Sequence, residues 1–496
     1  MSRWTIAAMG LAWTSALILL AVFTANGNGS KAHKSPTASK DDFALTATTD
    51  IKMTGTCLWQ TRLAGDDSTA TCSLVVNELT AVRDNSWAPW THRPVCTAAY
   101  RTGARGKKVR LQQFCVFTDA TFRGGRGLSI IAAPHVAAAM ARSLDDGNIP
   151  ARLRDHPSTP LAGDPALEYG PVDDNTGQGN AFVVQDIPGR GKGVVAARKI
   201  RKGEVVFVDY ATVLTQNTFS AHDATSTELG IEDGGEADEE QIMQLLQVAV
   251  AQLSEAQQTK IHALAHSLGG ERIRDILRTN VFGGITIADV SYIGLFALGS
   301  RINHHCQPNA YWRYTPGYLS QEVIAMRDIA PGEEVTHSYI PLGIVHDDRQ
   351  EKMRGWGFSC LCSLCTASEA TRRLADTRRR RLLAIHSELS AFTSDRGKQD
   401  SSTVTEVDRG AKRLGEMVDE MLFLLDKEQA WPLLCDYYPA VTRAYLAIDD
   451  AINARRHWQN SVEAWERYGG EQHEFADELK ALDSLIRAQE RAKRVV

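Results

Sequence analysis

Apolar residues change their spacing along this chain, and the changes divide it. From about residue 50 to 145, and again from Ala181-Phe-Val-Val184 to Tyr339, they come in short runs rich in β-branched side chains and closed by glycine, proline or asparagine. That is the pattern of strands joined by turns. Leu111-Gln-Gln-Phe-Cys-Val-Phe117 and Leu128-Ser-Ile-Ile-Ala132 are two such runs. Arg123-Gly-Gly-Arg-Gly127 between them reads as a hairpin turn in preference to a phosphate loop. Between 240 and 266, Met243, Leu245, Leu246, Val248, Val250 and Leu253 recur at helical spacing behind an acidic, exposed stretch at 228–240. This predicts a helical insertion, about 223–277, within a β domain. After Cys365 the spacing is helical to the end of the sequence, and 437–448 and 449–468 read as two antiparallel helices. The predicted class is mixed β+α.

The first residues add a targeting expectation. An apolar run at about 6–23 follows Arg3 and precedes the small residue Ala25, which reads as a signal peptide or signal anchor over 1–25. A Gly-, Ser-, Lys- and Pro-rich flexible linker follows at 26–49, with the glycosylation sequon Asn28-Gly-Ser30 inside it. On this reading the membrane is a partner only if the apolar segment stays uncleaved. A cysteine-containing module at 50–145 is separated from the next unit by a second linker, 146–179, dense in Pro, Gly and Asp.

A length of 496 residues allows about three domains, and 43% hydrophobic with 23% charged residues fits packed cores. The net charge of −5 excludes a global attraction to nucleic acid, and no direct nucleic-acid motif is present. The basic run at 371–381 reads as a solvated helix face in preference to a nuclear signal.

The nine cysteines fall into sets. Cys57, Cys72, Cys96 and Cys115 are compatible with two disulfides in an oxidising compartment or with four buried thiols. Cys360, Cys362 and Cys365 have Cys-x-Cys-x-x-Cys spacing, and Cys306 can supply a fourth sulfur. Four soft thiolates without a carboxylate select zinc in a closed, structural site, which favours a reducing setting. Cys435 is left over.

Next to Cys306 stands Asn303-His304, where an Asn amide and a backbone turn can read an adenine edge. Phe358, just before the Cys triplet, is an aromatic that can stack on such a face. Gly189-Arg-Gly191-Lys-Gly193 lets backbone approach a ligand closely, but no helix follows it, so it does not fit a dinucleotide fold.

Taken in chain order, the Gly-rich opening at 189–193, Arg198-Lys-Ile-Arg-Lys-Gly203-Glu204, Leu298-Gly-Ser-Arg-Ile-Asn-His-His-Cys-Gln-Pro-Asn309, Arg327-Asp-Ile-Ala-Pro-Gly-Glu-Glu-Val335, Ser338-Tyr339 and Trp356-Gly-Phe-Ser-Cys-Leu-Cys-Ser-Leu-Cys365 resemble the SET-domain protein lysine methyltransferases. The resemblance covers about 180–366. It implies a SET domain at 180–342, a zinc-binding post-SET segment at 343–366 and a helical C-terminal region at 367–496. The insertion and the helical end resemble the SMYD-like subgroup, without an evident MYND finger.

The resemblance further implies S-adenosylmethionine as cofactor, structural Zn2+, and a lysine of a histone or non-histone protein as acceptor. Arg190, Gly191, Lys192, Asn280, Asn303, His304 and Phe358 match its cofactor contacts. Tyr339 matches its pocket tyrosine, in contact with cofactor and amine, and Cys306, Cys360, Cys362 and Cys365 match its zinc ligands. Lysine is protonated at its reference pKa of about 10.4, so the pocket must favour the neutral amine, and Tyr339 is expected to orient that amine without acting as a simple base. His305 and His337 depart from the family pattern. They are compatible with tolerated packing, with a narrowed pocket or with pH-dependent activity.

An active enzyme is the first expectation. A catalytically silent partner-binding SET protein is the second, and a secreted zinc-stabilised interaction protein the third. The leader points to the secretory pathway, whereas the cofactor and thiolates point to nucleus or cytoplasm.

Overall fold

The computed structural model describes residues 89–96, 100–102, 108–110, 114–144, 181–216, 238–287, 290–394, 404–469 and 473–495. The apolar run at 6–23, the sequon, both linkers, the acidic stretch as far as residue 237, and Cys57 and Cys72 lie outside the described residues. Among the described residues no helix is long and apolar enough to cross a membrane.

The chain divides into two compact units, Met1–Asn148 with Ala211–Leu295, and Ile149–Tyr210 with Phe296–Val496. In the first, six strands order as Val95–Cys96, Cys115–Asp119, Leu128–Ala132, Val213–Gln216, Val290–Leu295 and Val281–Ile287. Only the Leu128–Ala132 and Val213–Gln216 pair runs parallel among these. Cys96 and Cys115 face each other in register and form a disulfide, which resolves that half of the early cysteine set. Arg123, Gly124, Gly125 and Gly127 take positive φ in the turn between the two strands predicted to flank it.

The inserted helices are Asp238–Ala251, Glu255–His262 and Arg272–Asn280. Leu245, Leu246, Val250 and Leu253 of the periodic set are buried against Val116, Ile131, Val213 and Leu295 of the sheet. Ser254 and Gln257 close the second helix start with reciprocal side-chain caps.

The second unit holds two small sheets. Phe182–Ile187 and Gly191–Ala196 form a hairpin, Glu334–His337 pairs antiparallel with its second strand, and Asn303–His304 adds in parallel to Glu334–His337. Val205–Tyr210, Ser320–Ala325 and Ala310–Thr315 make the other sheet, with Ser320–Ala325 central and buried at every position. Phe182, Val194, Phe207, Ile302, Val323 and Val335 join both sheets in one core. Buried carboxylate and amide groups fix the connections. Asp209 accepts the Leu298 and Gly299 N–H groups at 2.8 and 2.9 Å.

Asn309 is 2% exposed, accepts the Thr336 N–H at 2.8 Å and donates to the Glu334 carbonyl at 2.8 Å. Asn309→Ala leaves both backbone groups buried and unpaired, which costs about 3 kcal/mol. A clear fall in the urea midpoint is expected, and an unchanged midpoint would contradict this role.

From Glu369 the chain is helical: Glu369–Ser394, Val404–Glu428, Leu434–Ala447, Ala451–Ala464 and His473–Val495. Cys435 near the start of one helix donates to the Ala464 carbonyl at the end of the next, so that pair is antiparallel. Between them the His457 ring stacks on Tyr445 at 5.2 Å.

The basic run is mostly paired. Arg373 meets Glu369, Arg378 and Arg379 meet Glu428, Arg381 meets Glu388 and Glu420, and Arg372 donates to the Cys365 carbonyl. Arg379 is fully buried, so the stretch is not simply a solvated face.

Candidate functional site

All candidate residues except Asn280 lie in the second unit. The hairpin turn Ile187–Gly191 brings the Gly-rich loop to one edge of its sheet. Gly189 and Gly191 have φ of +73° and +69°, which a side chain would strain, and the Arg190 N–H closes the turn on the Ile187 carbonyl at 2.9 Å. At Gly193 the need is space. A Cβ there would stand 2.5 Å from Ile187 Cγ1, 2.9 Å from Glu334 Oε1 and 3.0 Å from Asn303 Nδ2.

Arg190 donates to Glu334 Oε2 at 2.5 Å and to the His304 carbonyl at 2.7 Å. Asn303 Nδ2 donates to Glu334 Oε1 at 2.8 Å and to the Lys192 carbonyl at 3.1 Å. Two acceptors on one side fix the amide orientation and turn Oδ1 the other way. The Lys192 ammonium pairs with Asp186 on the surface at 2.9 Å, a contact of little energetic weight.

His304 links three parts of the site. Its Nδ1 accepts the Tyr339 N–H at 3.0 Å, so the proton sits on Nε2, which faces Cys306 Sγ at 3.3 Å. Burial holds its pKa down at about 3, so the ring is neutral. The Tyr339 hydroxyl donates to the Ile302 carbonyl at 2.8 Å, and its ring lies among His304, His337, Trp356 and Phe358, with centroids 4.9 to 6.4 Å away. Burial pushes the Tyr339 pKa well above the usual phenol range, so the hydroxyl stays protonated. Phe358 leaves 40% of its surface exposed beside Tyr339. Gly357, at φ +80°, turns the chain out of the preceding His346–Arg354 helix.

Cys306, Cys360, Cys362 and Cys365 are all buried, with their sulfurs within 4.8 Å of one another. Zinc with Zn–S bonds of about 2.3 Å sets its sulfurs roughly 3.8 Å apart. Cys306 Sγ stands 3.8 Å from Cys360 Sγ and 3.5 Å from Cys365 Sγ, so the donor set fits a tetrahedral thiolate site. Charge balance agrees. Arg349 is fully buried, and burial alone would lower its pKa, but the Cys306 and Cys365 sulfurs, with Asp376 at 3.6 Å, more than offset this. Its Nε and Nη2 are buried without a hydrogen-bond partner.

The two unexpected histidines have definite places. His305 Nδ1 accepts the Gln307 N–H at 2.9 Å, and its Nε2 meets Ser363 Oγ at 3.1 Å, inside the Cys triplet loop. His337 is buried and donates from Nδ1 to the Ser338 carbonyl at 3.1 Å. Burial lowers the pKa of both, that of His337 to about 4, so neither gains charge near pH 7.

Asn280 sits in the first unit, where its Nδ2 donates to the Ala265 and Ile276 carbonyls at 2.7 and 2.6 Å. Glu334, Arg349, Trp356, Ser363 and the Arg379–Glu428 pair were not singled out from the sequence. Glu334 falls within the Arg327–Val335 motif quoted from the sequence, but nothing local in that motif marks its contacts.

Together Asn303 Oδ1, the partly exposed Phe358 ring and the open space around Gly189 and Gly191 offer an adenosine-bearing cofactor an acceptor, a stacking surface and close backbone approach. The SET-domain family matches residues 191–340. The histone-lysine N-methyltransferase set5 of Schizosaccharomyces pombe is 30% identical over 203 residues, which is 40% of this chain and 56% of that protein. Human N-lysine methyltransferase SMYD2 is 37% identical over 101 residues, 19% of this chain and 23% of that protein. A SET and MYND domain-containing protein of Dictyostelium discoideum is 33% identical over 78 residues, 16% of this chain and 15% of that protein. The chain thus spans about half the length of the first relative and less of the others.

Proposed function

The chain carries a SET domain and belongs with the SET-domain protein lysine methyltransferases, and from that premise we propose that it transfers a methyl group from S-adenosylmethionine to a lysine amine of a protein substrate. The observation that carries the reading is the junction of Asn303-His304, Tyr339 and the four-cysteine cluster through His304. When bound, the cofactor supplies an electrophilic methyl on a positively charged sulfur.

The protein's residues do the rest. Arg190, Gly191, Lys192, Asn303, His304 and Phe358 hold the cofactor. The apolar surround of Tyr339 disfavours a charged ammonium and so favours the neutral amine. The Tyr339 hydroxyl and the Ile302 carbonyl beside it orient that amine, and holding two reactants in line removes much of the entropic barrier. Cys306, Cys360, Cys362 and Cys365 hold zinc, which fixes the turn carrying Asn303 and His304.

The test is calorimetric titration with S-adenosylhomocysteine, followed by transfer of labelled methyl groups to lysine-bearing proteins of a whole-cell lysate. Binding with label on lysine supports the proposal. Binding without transfer to any protein favours a silent, partner-binding role. No binding contradicts both.

A further inference from the structure

Glu334 occupies the centre of the site without being among the residues expected to touch the cofactor. Its strand lies between the Gly191–Ala196 strand and the Asn303–His304 strand. From that middle position one carboxylate serves both neighbours. Oε1 accepts from the Asn303 amide at 2.8 Å, and Oε2 accepts from the Arg190 guanidinium at 2.5 Å, which itself donates to the His304 carbonyl at 2.7 Å. The Glu334 side chain is 17% exposed, so the ion pair is partly shielded from water. Gly193 leaves the space in which Glu334 Oε1 and Asn303 Nδ2 meet, since a Cβ there would come within 2.9 and 3.0 Å of the two atoms.

We infer that Glu334 is a positioning residue for the cofactor, acting through Asn303 and Arg190. The inference rests on the proposed cofactor reading. A carboxylate has only acceptors, so it forces the Asn303 amide to present Nδ2 inward and Oδ1 outward. Without it, only the Lys192 carbonyl at 3.1 Å holds that orientation, and the amide turns over more readily, offering a donor where the ligand needs an acceptor. The same carboxylate holds the Arg190 side chain across the His304 carbonyl, so loss of one group loosens both Arg190 and Asn303. Charge-assisted hydrogen bonds of this kind are stronger and more directional than neutral ones.

Three variants test this: Glu334→Ala, Glu334→Gln and Asn303→Ala, with the Glu334→Ala/Asn303→Ala double. The readouts are S-adenosylhomocysteine affinity by calorimetry, and KM for S-adenosylmethionine against kcat. Glu334→Ala is expected to weaken affinity and raise KM about 30-fold while kcat at saturating cofactor stays within about threefold, the split that marks lost binding and not lost chemistry. Glu334→Gln keeps the shape and one acceptor, so it should lose only about fivefold. In the Asn303→Ala background the further effect of Glu334→Ala should shrink to about threefold, because residues acting through one contact are not additive.

An unchanged KM in Glu334→Ala overturns the inference, and so does an undiminished effect in the Asn303→Ala background. If Glu334→Ala does not fold, Glu334→Gln decides: a folded variant with unaltered affinity overturns it. Failure of the wild-type protein to bind S-adenosylhomocysteine contradicts the underlying cofactor reading instead, and is seen before any variant is made.

Discussion

Replacing Cys306 with serine is expected to remove both the metal and the cofactor. Among the described residues Cys306 is the one sulfur of the cluster from outside the Cys360–Cys365 triplet, and it lies two residues after His304. Its sulfur meets Cys360 and Cys365, and the His304 Nε2–H faces the same atom. The other nitrogen of that imidazole holds the Tyr339 backbone. Loss of the ligand therefore frees the triplet loop and lets the His304 ring turn, and Asn303 goes with it. Zinc content should fall from one per chain to a small fraction, because structural zinc affinity depends on the full ligand set. Affinity for S-adenosylhomocysteine should fall at least about 30-fold, comparable with the 10–100-fold effects of disturbing groups around a metal. A chelator applied to the wild-type protein should reproduce the loss, and added zinc should reverse it. A serine variant that keeps one zinc and full affinity would sink the coupling.

Tyr339→Phe should leave a folded protein that binds cofactor and barely turns over. The hydroxyl is held by a single hydrogen bond to the Ile302 carbonyl, so its removal costs about 1 kcal/mol of stability. The ring keeps its neighbours His304, His337 and Trp356. Burial raises the hydroxyl pKa, so at neutral pH it is a donor and orienting dipole and not a base. Removing one preorganised polar group at a reacting centre typically lowers kcat about 10²- to 10³-fold. Rapid-quench measurement of methyl transfer checks this, with cofactor affinity as the control. Equal labelling by wild type and variant would discard the role given to Tyr339.

Much of this was legible in the sequence for a physical reason. Strand and helix spacing are local signals, so the hairpin at 182–196, the inserted helices and the helical end could be read from period alone. The Cys-x-Cys-x-x-Cys spacing constrains three sulfurs by chain geometry, and Cys306 completes the cluster. What escaped were contacts made by register. Glu334 is one of two adjacent glutamates, and only the pairing of three strands shows that it reaches both Arg190 and Asn303. Arg379 sat inside a run of arginines with nothing to mark it, because its partner Glu428 is far along the chain. His305 stood out as a departure, and its hydrogen bond to Ser363 shows it bridging the turn and the triplet loop. The early cysteines were compatible with disulfides or with buried thiols, and strand register brings Cys96 and Cys115 together in a disulfide.

The buried Arg379 guanidinium decides where the unit around the cysteine cluster ends. It donates to the Cys306 carbonyl at 3.0 Å and the Ile344 carbonyl at 2.9 Å, and is balanced by Glu428 at the last turn of a later helix. A fragment cut just after Cys365 would hold the four clustered cysteines and every side chain proposed to face the cofactor, yet it would lack this cation and its counter-charge. The smallest autonomous piece of this unit is therefore set by electroneutrality behind the cysteine cluster. It must extend through the helix that carries Glu428, well past the last residue that faces the cofactor.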